Sequence, residues 1–197
     1  MIKVGFIVED KPFQKLIESE NFKRLLKKLN IENIGVFISP DGRDRLLNKN
    51  EKIQSFFDIF DDKKANYIFV LVDKESDPCI TYSKKSIYNY SVEKQINIIA
   101  SKTIESWFLA DSDLLIQLLN KEGEFLFDEP ENIDGEPFEE LKKLFETYTN
   151  RGLSKRRNRH ANYIINNGFS ITNAANHPNC PSAKYFLEKL SQLNPNS

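Results

Sequence analysis

Residues 2–10 read Ile-Lys-Val-Gly-Phe-Ile-Val-Glu-Asp. Ile2, Val4, Gly5, Phe6, Ile7 and Val8 make a nearly continuous β-rich run, the pattern of a strand covered on both faces in a parallel sheet, and the run stops at Glu9. Pro12 suits the first turn of a helix, and Phe13, Leu16, Ile17, Leu25, Leu26 and Leu29 recur at near-helical spacing with lysines between them. The chain therefore opens with a strand over 2–8 and a helix over 13–29.

Outward from this pair the pattern repeats. A second strand over 34–38 is closed by Ser39, Pro40, Asp41 and Gly42, residues that turns require. Phe56, Phe57, Ile59 and Phe60 supply one face of a helix, and residues 67–72 form a third strand ending at Asp73. A fourth strand over 95–100 precedes a helix over 103–119. Strands alternating with helices predict an α/β fold with a mainly parallel sheet flanked by helices. Such sheets bind ligands outside the carboxyl ends of their strands, where Glu9 and Asp73 stand. Residues 1–120 are read as this α/β core, and 121–197 as an acidic insertion and a basic C-terminal helical extension packed on it. The insertion contains Pro130, Gly135 and Pro137, and the extension holds helices over 138–148, 156–167 and 182–193.

Composition narrows the function classes. The 197 residues carry 28 Lys and Arg against 29 Asp and Glu, so the net charge of -1 excludes binding to nucleic acid through overall positive charge. Charge is polarised locally: residues 122–146 are acidic, whereas the tail from Arg151 is basic. Cys79 and Cys180 match no zinc-ligand spacing and make no disulfide framework, so the reducing cytoplasm is the expected compartment. Residues 2–8 are too short for a membrane span or a signal segment, and no membrane partner is expected. Walker, dinucleotide-glycine and nucleophile-elbow patterns are absent.

Chemistry is concentrated in carboxylates. Glu9 after the first strand, with Asp73, Glu75 and Asp77 after the third, offers four hard oxygen donors that suit Mg²⁺ or Mn²⁺. The same residues also read as an acidic, solvated loop. Arg151, Lys155, Arg156, Arg157 and Arg159 form a cluster that would contact a nucleic-acid backbone, with Lys155 placed to neutralise charge at a scissile phosphate. An exposed helix start accounts for that cluster equally. Tyr82, Tyr88 and Tyr90 with Lys84 and Lys85 offer stacking and charge for a single strand, or a packed loop.

Val8-Glu9-Asp10 after one strand and Asp73-Lys74-Glu75 after a later one resemble the Toprim domain, whose members carry a glutamate after the first strand and Asp-x-Asp after the third. Glu75 departs from the second aspartate and Asp10 from a common glycine, which implies either retuned metal affinity or Asp77 in the vacated role. Thr103-Ile-Glu105-Ser-Trp107-Phe-Leu109-Ala-Asp111, with Asn179-Cys180-Pro181-Ser182, is similar to motifs of a Toprim-like bacterial family, the domain of unknown function numbered 4276. That family is related to the overcoming-lysogenization-defect nucleases. The resemblance implies a Toprim-like (Rossmann-like) core with Glu9, Asp73 and Glu75 as catalytic metal ligands. It further implies a Mg²⁺-dependent nuclease acting on DNA or RNA as an effector of antiviral defence, working with a separate ATPase. Glu105, in the first turn after the fourth strand, would be a further ligand on the same rim, or simply an acid placed favourably at a helix start. A noncatalytic interaction module that docks a partner is the alternative expectation.

Overall fold

The computed structural model describes residues 1–39, 42, 46, 53–149 and 156–194. Four strands, β1 (Ile2–Val8), β2 (Ile31–Ile38), β3 (Tyr67–Asp73) and β4 (Gln95–Ala100), form an all-parallel sheet in the order β2-β1-β3-β4. The helices are α1 (Lys11–Glu18), α2 (Glu20–Lys28), α3 (Gln54–Asp62), α4 (Ile80–Ser86), α5 (Glu105–Ala110), α6 (Ser112–Leu118), α7 (Pro137–Thr149), α8 (Arg157–Asn166), α9 (Ile171–Asn176) and α10 (Pro181–Gln192). The chain is thus an α/β protein with a Rossmann-like parallel sheet covered on both faces.

Alternation along the strands builds two apolar layers. Val4, Phe6 and Val8 of β1 and Phe69 and Leu71 of β3 face the larger layer, which α1, α2 and α5 to α10 complete. Ile7, Ile68, Val70 and Val72 face the smaller one, closed by Phe57 and Phe60 of α3. Because β1 and β3 are buried on both sides, their sequences are nearly continuously apolar, over 4–8 and 67–72. Residues beyond 120 belong to the larger layer: the fully buried Phe186 of α10 lies 5.7 Å from Trp107, 5.8 Å from Phe22 and 5.9 Å from Phe69, ring centre to ring centre.

Three elements depart from the sequence reading. The single helix over 13–29 is two, because Ser19 ends α1 with extended dihedrals and accepts a hydrogen bond from the Phe22 amide to start α2. The helix over 103–119 breaks likewise at Asp111, which caps α6 through the Leu114 amide. β2 starts at Ile31 rather than Ile34, since a register shift opposite Val4 and Gly5 skips Ile34 and interrupts its period-two pattern. Two short helices, α4 and α9, escape the sequence reading because neither repeats an apolar face long enough to be recognised.

Gly5 lies beneath the ring of Phe60, and a Cβ there would stand 2.5 Å from a ring carbon. Gly5→Ala is expected to cost about 2 kcal/mol by overpacking, a fall in melting temperature of about 4–8 °C. Thermal denaturation checks this, and a variant melting with the wild type would show that Phe60 retreats freely.

Candidate active site at the carboxyl ends of the strands

In the order β2-β1-β3-β4, the chain winds outward in both directions from the gap between β1 and β3. That reversal opens a crevice at the carboxyl ends of the two strands, the usual ligand position of doubly wound sheets. Glu9 and Asp73 occupy it. The Glu9 amide continues the β1–β3 ladder to Leu71 O (3.0 Å), and its carboxylate turns back so that Oε2 accepts from the Asp73 amide at 2.8 Å. Both residues are buried, at 8% and 1% exposure.

Asp73 is satisfied from two directions. Its Oδ1 accepts from the Ile104 amide at 2.8 Å, which ties β3 to the start of α5, and its Oδ2 accepts from Arg157 Nη2 at 2.8 Å. Glu105, 1% exposed, receives Arg157 as a fork: Nε donates to Oε1 and Nη2 to Oε2, the latter at 2.6 Å. Arg157 thus stands between the two carboxylates. Burial alone would push its pKa down, but the hydrogen bonds and charge of Glu105 and Asp73 hold it above the ordinary arginine range.

One guanidinium faces several acids. Burial, then repulsion from Glu105, Glu9 and Asp10, raises the Asp73 carboxyl well above the usual range, against the opposing pull of Arg157. Asp10 accepts from the Phe13 amide as the N-cap of α1, yet it is pushed up to about 6, first by burial and further by Glu105 and Glu75. Glu75 is exposed on the rim, held in a left-handed conformation (φ 50°) next to Lys102 (φ 57°), whose carbonyl accepts from the Glu75 amide at 2.8 Å. Two adjacent non-glycine residues in this region store strain where the cleft opens.

A cavity of about 700 Å³ extends from Arg157, Glu75 and Thr103 to the acidic insertion, where Glu131 and Asp134 form the opposite wall. Lys102 Nζ donates to the carbonyls of Ile133 and Gly135, which pins the insertion against the rim. Glu131 is not a surface residue: at 5% exposure, its Oε1 accepts from the Ser182 amide (2.9 Å), Ser182 Oγ (2.6 Å) and Cys180 Sγ (3.2 Å). Ser182 Oγ also accepts from Trp107 Nε1 at 2.7 Å, so the segments around 105–107 and 179–182, remote in sequence, touch directly.

The structure therefore brings Glu9, Asp73, Glu75 and Glu105 to one rim. Asp77 turns away and accepts from Ser83 Oγ at 2.6 Å, anchoring α4. Arg156 and Arg159 are on the exposed side of the α8 start, Arg157 faces inward, and Arg151 and Lys155 lie outside the described residues. Asp111, the last residue of the 103–111 motif, caps α6 from a fully buried position, where it accepts from the Ser170 amide (2.8 Å) and Asn173 Nδ2 (3.1 Å). Both histidines are buried, and Tyr88 and Tyr90 pack against Phe57. Asp10 enters the sequence analysis only as a departure from a common glycine and not as a site residue, and nothing in the sequence separates Arg157, which makes the clamp, from its basic neighbours.

In chemistry, the donor set fits a hard divalent cation, since all its members are carboxylates and several are buried together. In geometry, Arg157 stands among them, and the described residues present no group of three or more His, Cys, Asp or Glu side chains arranged to hold a metal ion. Among the described residues no helix is long and apolar enough to cross a membrane.

Fold and site together define an α/β protein with an acidic cleft at the switch point of a doubly wound sheet. The chain matches no protein-family model and no curated protein.

Proposed function

We propose that this cleft is the active site of a Toprim-like, Mg²⁺-dependent hydrolase of phosphodiester bonds in DNA or RNA, serving as an effector of bacterial antiviral defence. The supporting observation is a set of carboxylates buried together around one guanidinium: burial first, and their mutual repulsion after it, raises Asp10 to about 6 and Asp73 well above its ordinary range. Buried like charges of this kind cost stability and cluster at functional sites. Glu9, Asp73 and Glu105 would hold the ion once Arg157, which here pairs Asp73 and Glu105, gives them up, with Glu75 at the rim. Bound there, it would supply an activated water and charge stabilisation at the phosphorus. Arg157 would direct its guanidinium at a phosphate oxygen, and Asp10, whose carboxyl burial raises to about 6, would hold or release a proton beside it.

A second reading is a noncatalytic module that docks a partner such as an ATPase. It draws on the Arg157 clamp, which already pairs both Asp73 and Glu105. Incubation with plasmid, single-stranded DNA and tRNA in Mg²⁺ or Mn²⁺ separates the two. The hydrolase reading expects cleavage that Glu9→Gln lowers at least 100-fold, together with Mn²⁺ binding heat that Glu9→Gln reduces. No cleavage and no binding heat would leave only the docking module.

A further inference from the structure

We infer that the cavity between the rim and the acidic insertion is a binding site for a linear polyamine, a ligand that the hydrolase reading neither requires nor supplies. Glu9, Asp73 and Glu105 do not line this cavity, and what it shares with the rim is Arg157 and Glu75.

Its charges divide by sign. The three basic residues of the lining are all engaged: Lys74 Nζ donates to Asp77 O at 2.7 Å, Lys102 Nζ to the carbonyls of Ile133 and Gly135, and Arg157 to Asp73 and Glu105. The four acids of the lining, Glu75, Glu131, Asp134 and Glu136, make no ion pair among the described residues. Arg157 is neutralised by its own two carboxylates, so four acids face only the two ammonium groups of Lys74 and Lys102. A confined space with such an excess of one sign concentrates ions of the other.

Glu131 shows where a ligand would be held. Its side chain is buried at 5% exposure, and its Oε1 is taken up by Ser182 and Cys180 at the amino end of α10. Its Oε2 accepts no hydrogen bond, yet it is not sealed in the interior, since the residue opens onto the cavity. A carboxylate oxygen without a donor in so buried a side chain is costly, and a donor entering the cavity relieves that cost. Thr103, 7% exposed and lining the same cavity, also has its Oγ1 hydroxyl without a partner.

The chemistry of the occupant follows from this lining. A bare metal ion does not fit, because the described residues present no group of three or more His, Cys, Asp or Glu side chains arranged to hold one. A lysine or arginine side chain from a partner brings a single cation, whereas acids stand on both walls. A thin chain of ammonium groups joined by methylenes places one donor at Glu131 Oε2 and further charges at Asp134, Glu136 and Glu75, with the apolar Ile133 beside its methylenes. The volume of about 700 Å³ lies within the range of small-molecule sites.

The test is isothermal titration of the full chain with spermidine in EDTA, which keeps divalent metals out of the result. Binding heat is expected, with an affinity that falls as salt rises. Asp134→Asn/Glu136→Gln, which changes two exposed residues, is expected to weaken binding about 10-fold or more with an unchanged melting temperature. Glu131→Gln, which keeps an oxygen for Ser182, should weaken it comparably. Glu146→Gln removes an exposed acid outside the cavity and should leave the affinity as it is. No binding heat, an affinity that neither cavity variant alters, an equal loss in Glu146→Gln, or tighter binding of a tetralysine peptide than of spermidine would each overturn the site. Failure to cleave nucleic acid in Mg²⁺ would count against the hydrolase reading alone.

Discussion

Replacing Arg157 with alanine is expected to destabilise the protein more than any other single change at the rim. It would leave Asp73 and Glu105, each with a side chain only 1% exposed, facing one another without a cation. Breaking a buried pair costs about 3–5 kcal/mol. The Arg157 side chain is itself 34% exposed, so solvent screening brings the expected cost to about 2–3 kcal/mol. In a chain of this size that is a fall in melting temperature of about 5–10 °C. The variant also has a distinctive response to metal. With the guanidinium gone, Mn²⁺ offers both carboxylates a neutralising partner that protonation of Asp73 alone does not, and an ion at 100 times its dissociation constant would restore about 2.7 kcal/mol. Thermal melts of wild type and Arg157→Ala with and without Mn²⁺ should show the larger rise in the variant. Absence of any rise in either protein would remove the metal from the site and favour the docking module.

Asp10→Asn is expected to act in the opposite direction. Asp10 is raised from 3.8 to about 6, chiefly by burial, so between those values the folded chain holds a proton that the unfolded chain has released. Stability therefore falls as pH rises from about 4 to about 6, and the full penalty persists above that window. Asparagine keeps the oxygen that caps α1 and removes the charge. At one to two units of effective shift the variant should gain about 1–2 kcal/mol at pH 7.5 while matching the wild type below pH 4. Melting curves across pH 3.5 to 8 provide the check. A difference of the same size at both ends of the range would mean that the Asp10 charge is not the cause. A wild-type residue that destabilises its own fold at neutral pH fits a group retained for chemistry.

The alternation of apolar strands and amphipathic helices was legible along the chain because both signals are local. A strand buried on two faces must be apolar at successive positions, as 4–8 and 67–72 are, and a helix on a sheet must repeat its apolar stripe every three or four residues. The carboxyl ends of those strands were marked by the same boundaries, which is why Glu9, Asp73 and Glu105 could be placed on one rim without coordinates. Helix breaks at Ser19 and Asp111 were harder to see, since a capping side chain interrupts a helix without interrupting its apolar periodicity.

What the linear order could not contain was how distant segments pair. Arg157 is one of several neighbouring basic residues, and only the packing of α8 turns it inward across 84 positions to Asp73 while Arg159 stays outside. Asp77 shares its loop with Asp73, yet a hydroxyl six positions on captures it. Glu131 lies in an acidic stretch that looks solvated, and is buried because the start of α10 and Ser182 need an acceptor there. Sequence alone determined which residues lie at the strand ends, because burial and backbone periodicity act over a few residues. Tertiary structure decided which of those charges are neutralised, and by what, because electrostatic pairing depends on distances that only the folded chain sets.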